Sequence, residues 1–97
     1  INLQVDMQKP DCSLYKDDPD EFIRKLKQGE QKYQFKLYKE FYPRIYNKSL
    51  NILQDEDGAE DLTNQAFFNA LDKIQHFRKG EDLQIWLEGI VEETSMY

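Results

Sequence analysis

Five carboxylates lie within seven residues near the middle of the chain: Asp55, Glu56, Asp57, Glu60 and Asp61. Such a group could bind a cation, but a calcium loop needs alternating oxygen ligands and a distal glutamate, and that pattern is missing. At the start of a helix, acidic side chains instead cap backbone N–H groups and suit the positive end of the helix dipole. We therefore interpret this group as a helix start, with Asp57 as the cap and Glu60 completing a capping box.

Residue types that perform catalysis are sparse in this chain. It has a single histidine, His76, and a single cysteine, Cys12, far apart in sequence. No cluster of these residues has zinc spacing, and the glycines are dispersed instead of forming a phosphate-binding loop. We expect no enzyme activity, no metal and no cofactor. A lone cysteine also excludes an internal disulfide and fits the reducing cytoplasm.

The helix that follows the acidic group has two distinct faces. Its apolar positions keep helical spacing and predict a buried stripe: Ala59, Leu62, Ala66, Phe67, Ala70, Leu71 and Ile74. The opposite, exposed face carries Asp61, Asn64, Gln65, Phe68, Asp72 and Gln75. Phe68 is the only aromatic on this polar face, which leaves two interpretations open. The face is a docking surface for another protein, or Phe68 is an isolated exposed side chain without a function.

Helical periodicity and capping residues predict an all-α domain at residues 18–97, with helices near 19–28, 31–53, 58–75 and 82–95. Asp18, Pro19 and Glu21 predict the first helix start, and Gly29 its end. Pro43 predicts a kink or break in the second helix. Asp82 or Glu81 is expected to cap the last one.

Residues 1–17 show no long period, and we expect an extended or mobile leader there. The chain has no run of about 18 apolar residues, so we expect no membrane-spanning helix. A secretory signal is also missing from the sequence.

Charge is strongly segregated along the chain, whose net charge is −6. Residues 1–23 hold six acids and two bases, residues 24–48 hold two acids and eight bases, and residues 49–97 hold eleven acids and three bases. The basic block could face phosphate, or it could be a solvated helix face near the acidic half. The overall negative charge argues against non-specific attraction to nucleic acid.

An ordered set of short motifs resembles region 2 of bacterial sigma-70 family factors, most closely the extracytoplasmic-function (ECF) group. The set comprises Phe41-Tyr42-Pro43-Arg44-Ile45-Tyr46, then Glu60-Asp61-Leu62 with Phe67, and finally Phe77, Leu83, Trp86-Leu87 and Ile90. The resemblance covers residues 20–97. It implies a helical bundle that acts in transcription initiation as part of an alternative sigma factor.

The resemblance implies that one surface docks on the clamp helices of the RNA polymerase beta-prime subunit. The matching positions are Glu60, Asp61, Asn64, Gln65 and Phe68. Sigma factors of this group usually carry Gln and then Glu where this chain has Asn64 and Gln65, so one negative charge is lost.

A second implied surface opens the −10 promoter element and holds a flipped base. The matching positions lie in the loop His76 to Asp82, with contacts expected from His76, Phe77, Arg78 and Lys79. Trp86 lies on the apolar stripe of the last helix, and we interpret it first as a core residue. Glu92 and Glu93 stand where the family commonly has Arg and Asn, and Glu88 adds a third acid. We therefore expect weak DNA binding by this helix.

Two functional classes remain open from the sequence. The first is the region 2 domain of a working sigma factor that recognises and opens promoter DNA. The second is a sigma-like protein-interaction domain that binds polymerase, or an anti-sigma partner, without melting DNA. A helix-turn-helix domain after Tyr97 would favour the first class, because such domains read promoter DNA through the major groove.

Overall fold

The described part of the chain folds into four α-helices and one short 3₁₀ turn. The computed structural model describes Tyr15 and residues 18–96. The helices are α1 (Pro19–Lys27), α2 (Gln31–Leu53), α3 (Glu56–Asp72) and α4 (Leu83–Ser95), and the 3₁₀ turn is Ile74–His76. No strand occurs among the described residues. The prediction of an all-α domain of four helices is confirmed.

The first helix begins as the sequence predicts. The Asp18 carboxylate accepts a hydrogen bond from the backbone N–H of Glu21 at 3.1 Å, and Pro19 occupies the first helical position. Gly29 follows the helix with a positive φ of 80°, which suits glycine at this place. The predicted capping box is only half formed, because the Glu21 carboxylate accepts from the Arg24 guanidinium instead of the cap backbone.

The start of α3 corrects the prediction that Asp57 is the cap. Asp55 is the cap, and its carboxylate accepts from the backbone N–H of Gly58 at 2.7 Å. Gln54 has a left-handed φ of 55° and ends α2 directly before Asp55, so the next helix begins at Glu56. Asp57 therefore lies inside the first turn, where its charge still suits the helix dipole.

The second helix continues through Pro43, so the predicted break is wrong. Pro43 lies on the exposed side of α2, where water can satisfy the carbonyl that loses its backbone donor. A bend of the helix axis at this position stays a prediction.

The core lies where α2, α3 and α4 meet, with α1 covering one end. It consists of Phe22, Leu26, Leu37, Phe41, Ile45, Leu62, Ala66, Phe67, Ala70, Ile74, Phe77, Leu83, Leu87, Ile90 and Val91. Tyr15 lies edge-on against Phe22 and Phe41, with ring centroids 5.7 and 5.8 Å apart. The rest of the predicted leader lies outside the described residues.

One buried polar pair joins α2 and α3 inside this core. The Thr63 hydroxyl donates to the Ser49 hydroxyl at 2.9 Å and also lies 2.7 Å from the Ala59 carbonyl. Ser49 in turn donates to the Ile45 carbonyl at 3.0 Å. Because every polar atom of the pair has a partner, its burial does not leave an unsatisfied group.

Helix α3 ends earlier than predicted, before the segment that leads to α4. Helix α3 ends at Asp72, and the 3₁₀ turn replaces the expected last turn. Phe77 then adopts an extended conformation. Of the two candidate caps of α4, Asp82 is the cap and accepts from the Ile85 N–H at 3.0 Å. Glu81 instead accepts from the Arg78 N–H at 2.7 Å and closes the loop.

Candidate interaction surfaces

The exposed side of α3 brings together all five residues predicted to bind polymerase. Glu60, Asp61, Asn64, Gln65 and Phe68 are exposed, and their spacing places most of them along one face of the helix. Phe68 is 68% exposed, whereas its neighbour Phe67 is only 4% exposed. The predicted exposure of this face is confirmed, and its binding partner stays a prediction. We call these five residues the α3 face.

The α3 face keeps its negative charge. None of the ion pairs within the described part of the chain involves Glu60, Asp61 or the other acids at the start of α3. The basic residues of α2 therefore do not neutralise these acids, although α2 packs directly against α3. A positively charged partner would meet carboxylates that have no competing cation among the described residues.

Two amides of the α3 face are held in place by neighbouring side chains. The Tyr38 hydroxyl donates to the Asn64 carbonyl oxygen at 2.9 Å. Gln65 donates to Asn69 at 3.3 Å, and Asn69 donates to the Thr94 hydroxyl on α4 at 3.0 Å. A shallow cleft of about 460 Å³ beside this chain of hydrogen bonds is lined by Asp61, Leu62, Gln65, Asn69 and Thr94. Partner groups could enter this cleft from the α3 face.

A smaller cleft of about 320 Å³ lies on the other side of Glu60, lined by Tyr42, Tyr46, Glu56, Asp57 and Glu60. The two tyrosine rings are stacked, with centroids 5.9 Å apart and an interplanar angle of 16°. Burial, followed by the nearby Tyr38 and Glu60, raises the pKa of Tyr42, so its phenol stays protonated at neutral pH.

The tyrosines of α2 are the part of this surface that sequence reasoning missed. Helical spacing along α2 predicts that Tyr38 and Tyr46 lie on or near its buried stripe, yet Tyr38 is exposed and Tyr46 is only partly buried. The hydroxyl group could have indicated this position, because a partly buried tyrosine usually places its hydroxyl where it can form a hydrogen bond.

The loop residues predicted to contact DNA do not all face solvent. His76, Arg78 and Lys79 are exposed, whereas Phe77 is only 4% exposed. The Phe77 ring packs edge-on against Trp86, with centroids 5.4 Å apart. In this structure the Phe77 ring lies in the core and offers no free face for base stacking, and its contact with DNA stays a prediction. Trp86 packs half-buried against the same core, as expected.

The acids of α4 have partners that the sequence did not reveal. Glu92 pairs with Lys48 of α2 at 2.8 Å, and Glu93 pairs with Lys73, directly after α3, at 3.1 Å. The hydrogen bond to Glu92 raises the pKa of the Lys48 ammonium. These two glutamates join α4 to the other long helices and are not simply outward-facing charges.

The described residues contain neither a metal-binding cluster nor a membrane-spanning helix. There, no group of three or more histidine, cysteine, aspartate or glutamate side chains is placed to hold a metal ion. The five carboxylates around the start of α3 spread over more than one side of the helix. None of the described helices is both long and apolar enough to span a bilayer.

The described residues form a small all-α domain with an exposed acidic face on α3, and comparison with known families identifies the domain. Residues 37–95 match the family described as Sigma-70 region 2, and the chain belongs to that family. This is a family of sigma factors, which act in transcription initiation with the RNA polymerase core and promoter DNA, and not a family of enzymes. No curated protein and no solved structure matches the chain. Helix α1 and the first turns of α2 precede the matched range.

Proposed function

We propose that this chain is the region 2 domain of an ECF-type sigma factor and that the α3 face docks on the beta-prime clamp helices of RNA polymerase. The observation that carries the proposal is the exposed Asp61, Gln65 and Phe68 surface, whose acids have no cation partner among the described residues. A basic helix would complement it in charge, and Phe68 would supply the apolar anchor that interfaces commonly need. Such a function places the protein in the cytoplasm, with the polymerase.

The same proposal assigns a promoter contact to the loop. His76, Arg78 and Lys79 are exposed there and could approach the −10 element. Two cations give few phosphate contacts, and Lys79 lies 3.7 Å from the Asp20 carboxylate. Since Phe77 is buried, stacking on a base would fall to His76. We therefore expect the isolated chain to bind single-stranded −10 DNA weakly, with polymerase supplying the remaining contacts.

A second function is favoured by the last helix: a protein-interaction domain that binds polymerase or an anti-sigma partner without opening DNA. Glu92 and Glu93 pair with lysines that could otherwise contact phosphates. From His76 to Tyr97 the chain has two basic and five acidic residues, a net charge of −3. Both functions need the α3 face, and they differ only in whether the loop and α4 bind DNA.

The test of docking is charge reversal at Asp61. We expect Asp61→Arg to abolish pull-down of a beta-prime clamp fragment, because it places a cation opposite a basic helix. The matched control is Asp20→Arg, which makes the same charge change at an exposed aspartate of α1 and not of α3. Asp20 makes only an exposed pair with Lys79 at 3.7 Å, so its loss should leave both folding and binding intact.

Thermal unfolding followed by circular dichroism separates the outcomes of this test. Lost binding with an unchanged melting temperature supports docking through Asp61. Unchanged binding rejects the docking assignment. If Asp61→Arg instead unfolds the domain, Asp61→Asn gives the decision, since it removes the charge without adding a cation.

A further inference from the structure

Helix α1 and the loop after α3 are joined by a reciprocal pair of hydrogen bonds. The Lys27 ammonium donates to the backbone carbonyl of Phe77 at 2.7 Å. The Gln75 side-chain amide donates to the backbone carbonyl of Lys27, also at 2.7 Å. Thus α1 and the segment after α3 each donate one side-chain hydrogen bond to a main-chain carbonyl of the other, although they lie 48 to 50 residues apart in sequence.

Both carbonyls depend on these side chains. The Lys27 carbonyl lies in the last turn of α1, where helix carbonyls lack a partner within the helix. The Phe77 carbonyl lies outside any helix, between the 3₁₀ turn and α4. No backbone N–H of the described residues donates to either of them. Removing one side chain would therefore leave a main-chain acceptor without its protein partner.

The pair also fixes the main chain where the exposed loop begins. Phe77 leaves the 3₁₀ turn with extended backbone angles. Its ring points into the core against Trp86, and His76 and Arg78 are exposed on either side of it. Holding the Phe77 main chain in place thus holds both neighbours outward.

Outside the shared core, few contacts join α1 to the loop. A surface cleft of about 460 Å³ lies between them, lined by Ile23, Arg24 and Lys27 on α1 and by Phe77, Lys79 and Glu81 on the loop. Among the described residues, the other ion pair across the cleft joins Lys79 and Asp20 at 3.7 Å, and this exposed pair is weak.

We propose that Lys27 and Gln75 are positioning residues that hold the loop of His76, Arg78 and Lys79 in the orientation required for DNA. The inference rests on the proposed DNA contact of that loop. It assigns a role to α1, which lies outside the range that matches the family. Lys27 acts through the Phe77 carbonyl and Gln75 through the Lys27 carbonyl, so neither needs to touch the nucleic acid.

The first measurement is amide hydrogen exchange in the free 97-residue chain. Gln75→Met keeps the length and neutrality of the side chain and removes only the donor to Lys27. We expect exchange at the Arg78 and Glu81 amides to become about fivefold faster, the effect of losing one hydrogen bond. Gln31→Met is the matched control, because Gln31 is exposed at the start of α2 and has no side-chain hydrogen bond. Unchanged exchange in Gln75→Met would overturn the proposal.

The second measurement is binding of a labelled non-template −10 oligonucleotide to the complex of the chain with polymerase core. We expect Gln75→Met to weaken binding by about three- to tenfold, the equivalent of roughly one hydrogen bond. Lys27→Met should do the same, and Lys27→Arg, which keeps a donor, should restore binding. A purely structural role would not distinguish these two Lys27 variants at equal stability.

The outcomes separate this proposal from the proposed function. Faster loop exchange with unchanged DNA affinity would make the pair structural and overturn its positioning role. If the unmodified complex itself does not bind the oligonucleotide, the DNA function fails, and the positioning role fails with it. If the chain binds neither polymerase nor DNA, the exchange data still show whether the loop is held by α1.

Discussion

The acids at the start of α3 and the acids at the end of α4 have the same chemistry but opposite surroundings. Glu60 and Asp61 lie exposed on α3 without an ion partner in the described residues, whereas Glu92 and Glu93 each pair with a lysine from another part of the bundle. Sequence position alone does not distinguish them, because both groups occupy exposed sides of amphipathic helices. The structure separates acids available to a partner from acids that are already neutralised within the domain.

The difference follows from which residues face each group. Lys48 lies near the end of α2 and pairs with Glu92 of α4. Lys73 follows the last residue of α3 and pairs with Glu93 of the same helix. At the start of α3, the cleft beside Glu56, Asp57 and Glu60 is lined from α2 by Tyr42 and Tyr46 and by no lysine. Segregated charge along the sequence therefore does not predict pairing unless the contacting helix faces are known.

The largest expected effect is on DNA affinity. Glu92→Arg combined with Glu93→Asn raises the net charge by three, by removing two negative charges and adding one positive charge, and frees Lys48 and Lys73 from their partners. A change of three charges steepens the salt dependence of single-strand binding by about two, so the gain in affinity should be roughly tenfold greater at 50 mM than at 200 mM salt. Fluorescence anisotropy of a labelled −10 oligonucleotide measures it.

The matched control places the same charge change on the other acidic group, as Glu60→Arg with Asp61→Asn. We expect a smaller rise there, because the α3 face is not the side that the loop and α4 present to DNA. An equal rise in both variants would show that only the net charge matters. Tight, sequence-preferring binding by the unmodified chain would show that the paired glutamates do not oppose DNA.

The next largest effect is expected on stability, at the acid that caps α3. Asp55 caps the helix, and Asp55→Ala should lower the free energy of unfolding by about 1 kcal/mol, as loss of a helix cap does. Urea unfolding followed by circular dichroism measures this. Gly58→Ala should also weaken the cap, since its Cβ would lie 2.8 Å from the Asp55 carboxylate oxygen. A neutral result for both variants would mean that this cap does not stabilise α3.

A smaller effect is expected at the acids without partners. Glu60→Gln and Asp61→Asn should each change the free energy of unfolding by less than about 0.5 kcal/mol, because these side chains are exposed and make no ion pair within the described residues. The same urea titration tests them. A loss comparable to that of Asp55→Ala would show that the α3 face is structural, which would weaken its assignment as a docking surface.

The smallest expected effect is the pH dependence of the Lys48 and Glu92 pair. The pKa of Lys48 is raised above its ordinary 10.5 in the folded chain, chiefly by its hydrogen bond to Glu92. The stability that the pair contributes is therefore complete below the unfolded pKa and is lost as pH rises through the folded pKa. The difference in urea midpoint between the native chain and Glu92→Gln should shrink above pH 10.5. A difference that stays constant would mean that the two side chains do not interact in solution.

Local sequence signals predicted most of the fold. Asp18 with Pro19, Gly29 and Asp82 each act at the helix end that the sequence indicated, because capping depends on residues within one turn. The predicted bounds of α2 agree with the structure at both ends. The cap of α3 was placed two residues late, since the competing signal was a left-handed Gln54, a conformation that side-chain type seldom reveals.

Only the part of the candidate site that is formed by a single helix could be predicted from the sequence. The α3 face follows from spacing along a single helix, so its exposure could be read from the sequence. The loop and α4 depend on contacts between distant segments: Phe77 with Trp86, Lys27 with Phe77, and Glu92 with Lys48. Nothing in the types or spacing of these residues indicates which of them meet. For this reason the sequence did not reveal that Phe77 is buried or that Glu92 and Glu93 pair with Lys48 and Lys73.

The contact between Phe77 and Trp86 gives the protein its own optical reporter. Trp86 is the only tryptophan in the chain, so all indole fluorescence comes from one half-buried ring at the base of the loop. Withdrawal of Phe77 would expose that ring to water and shift its emission to longer wavelength. Loop opening on polymerase, on DNA or during unfolding could therefore be followed without a label, from the emission wavelength of Trp86.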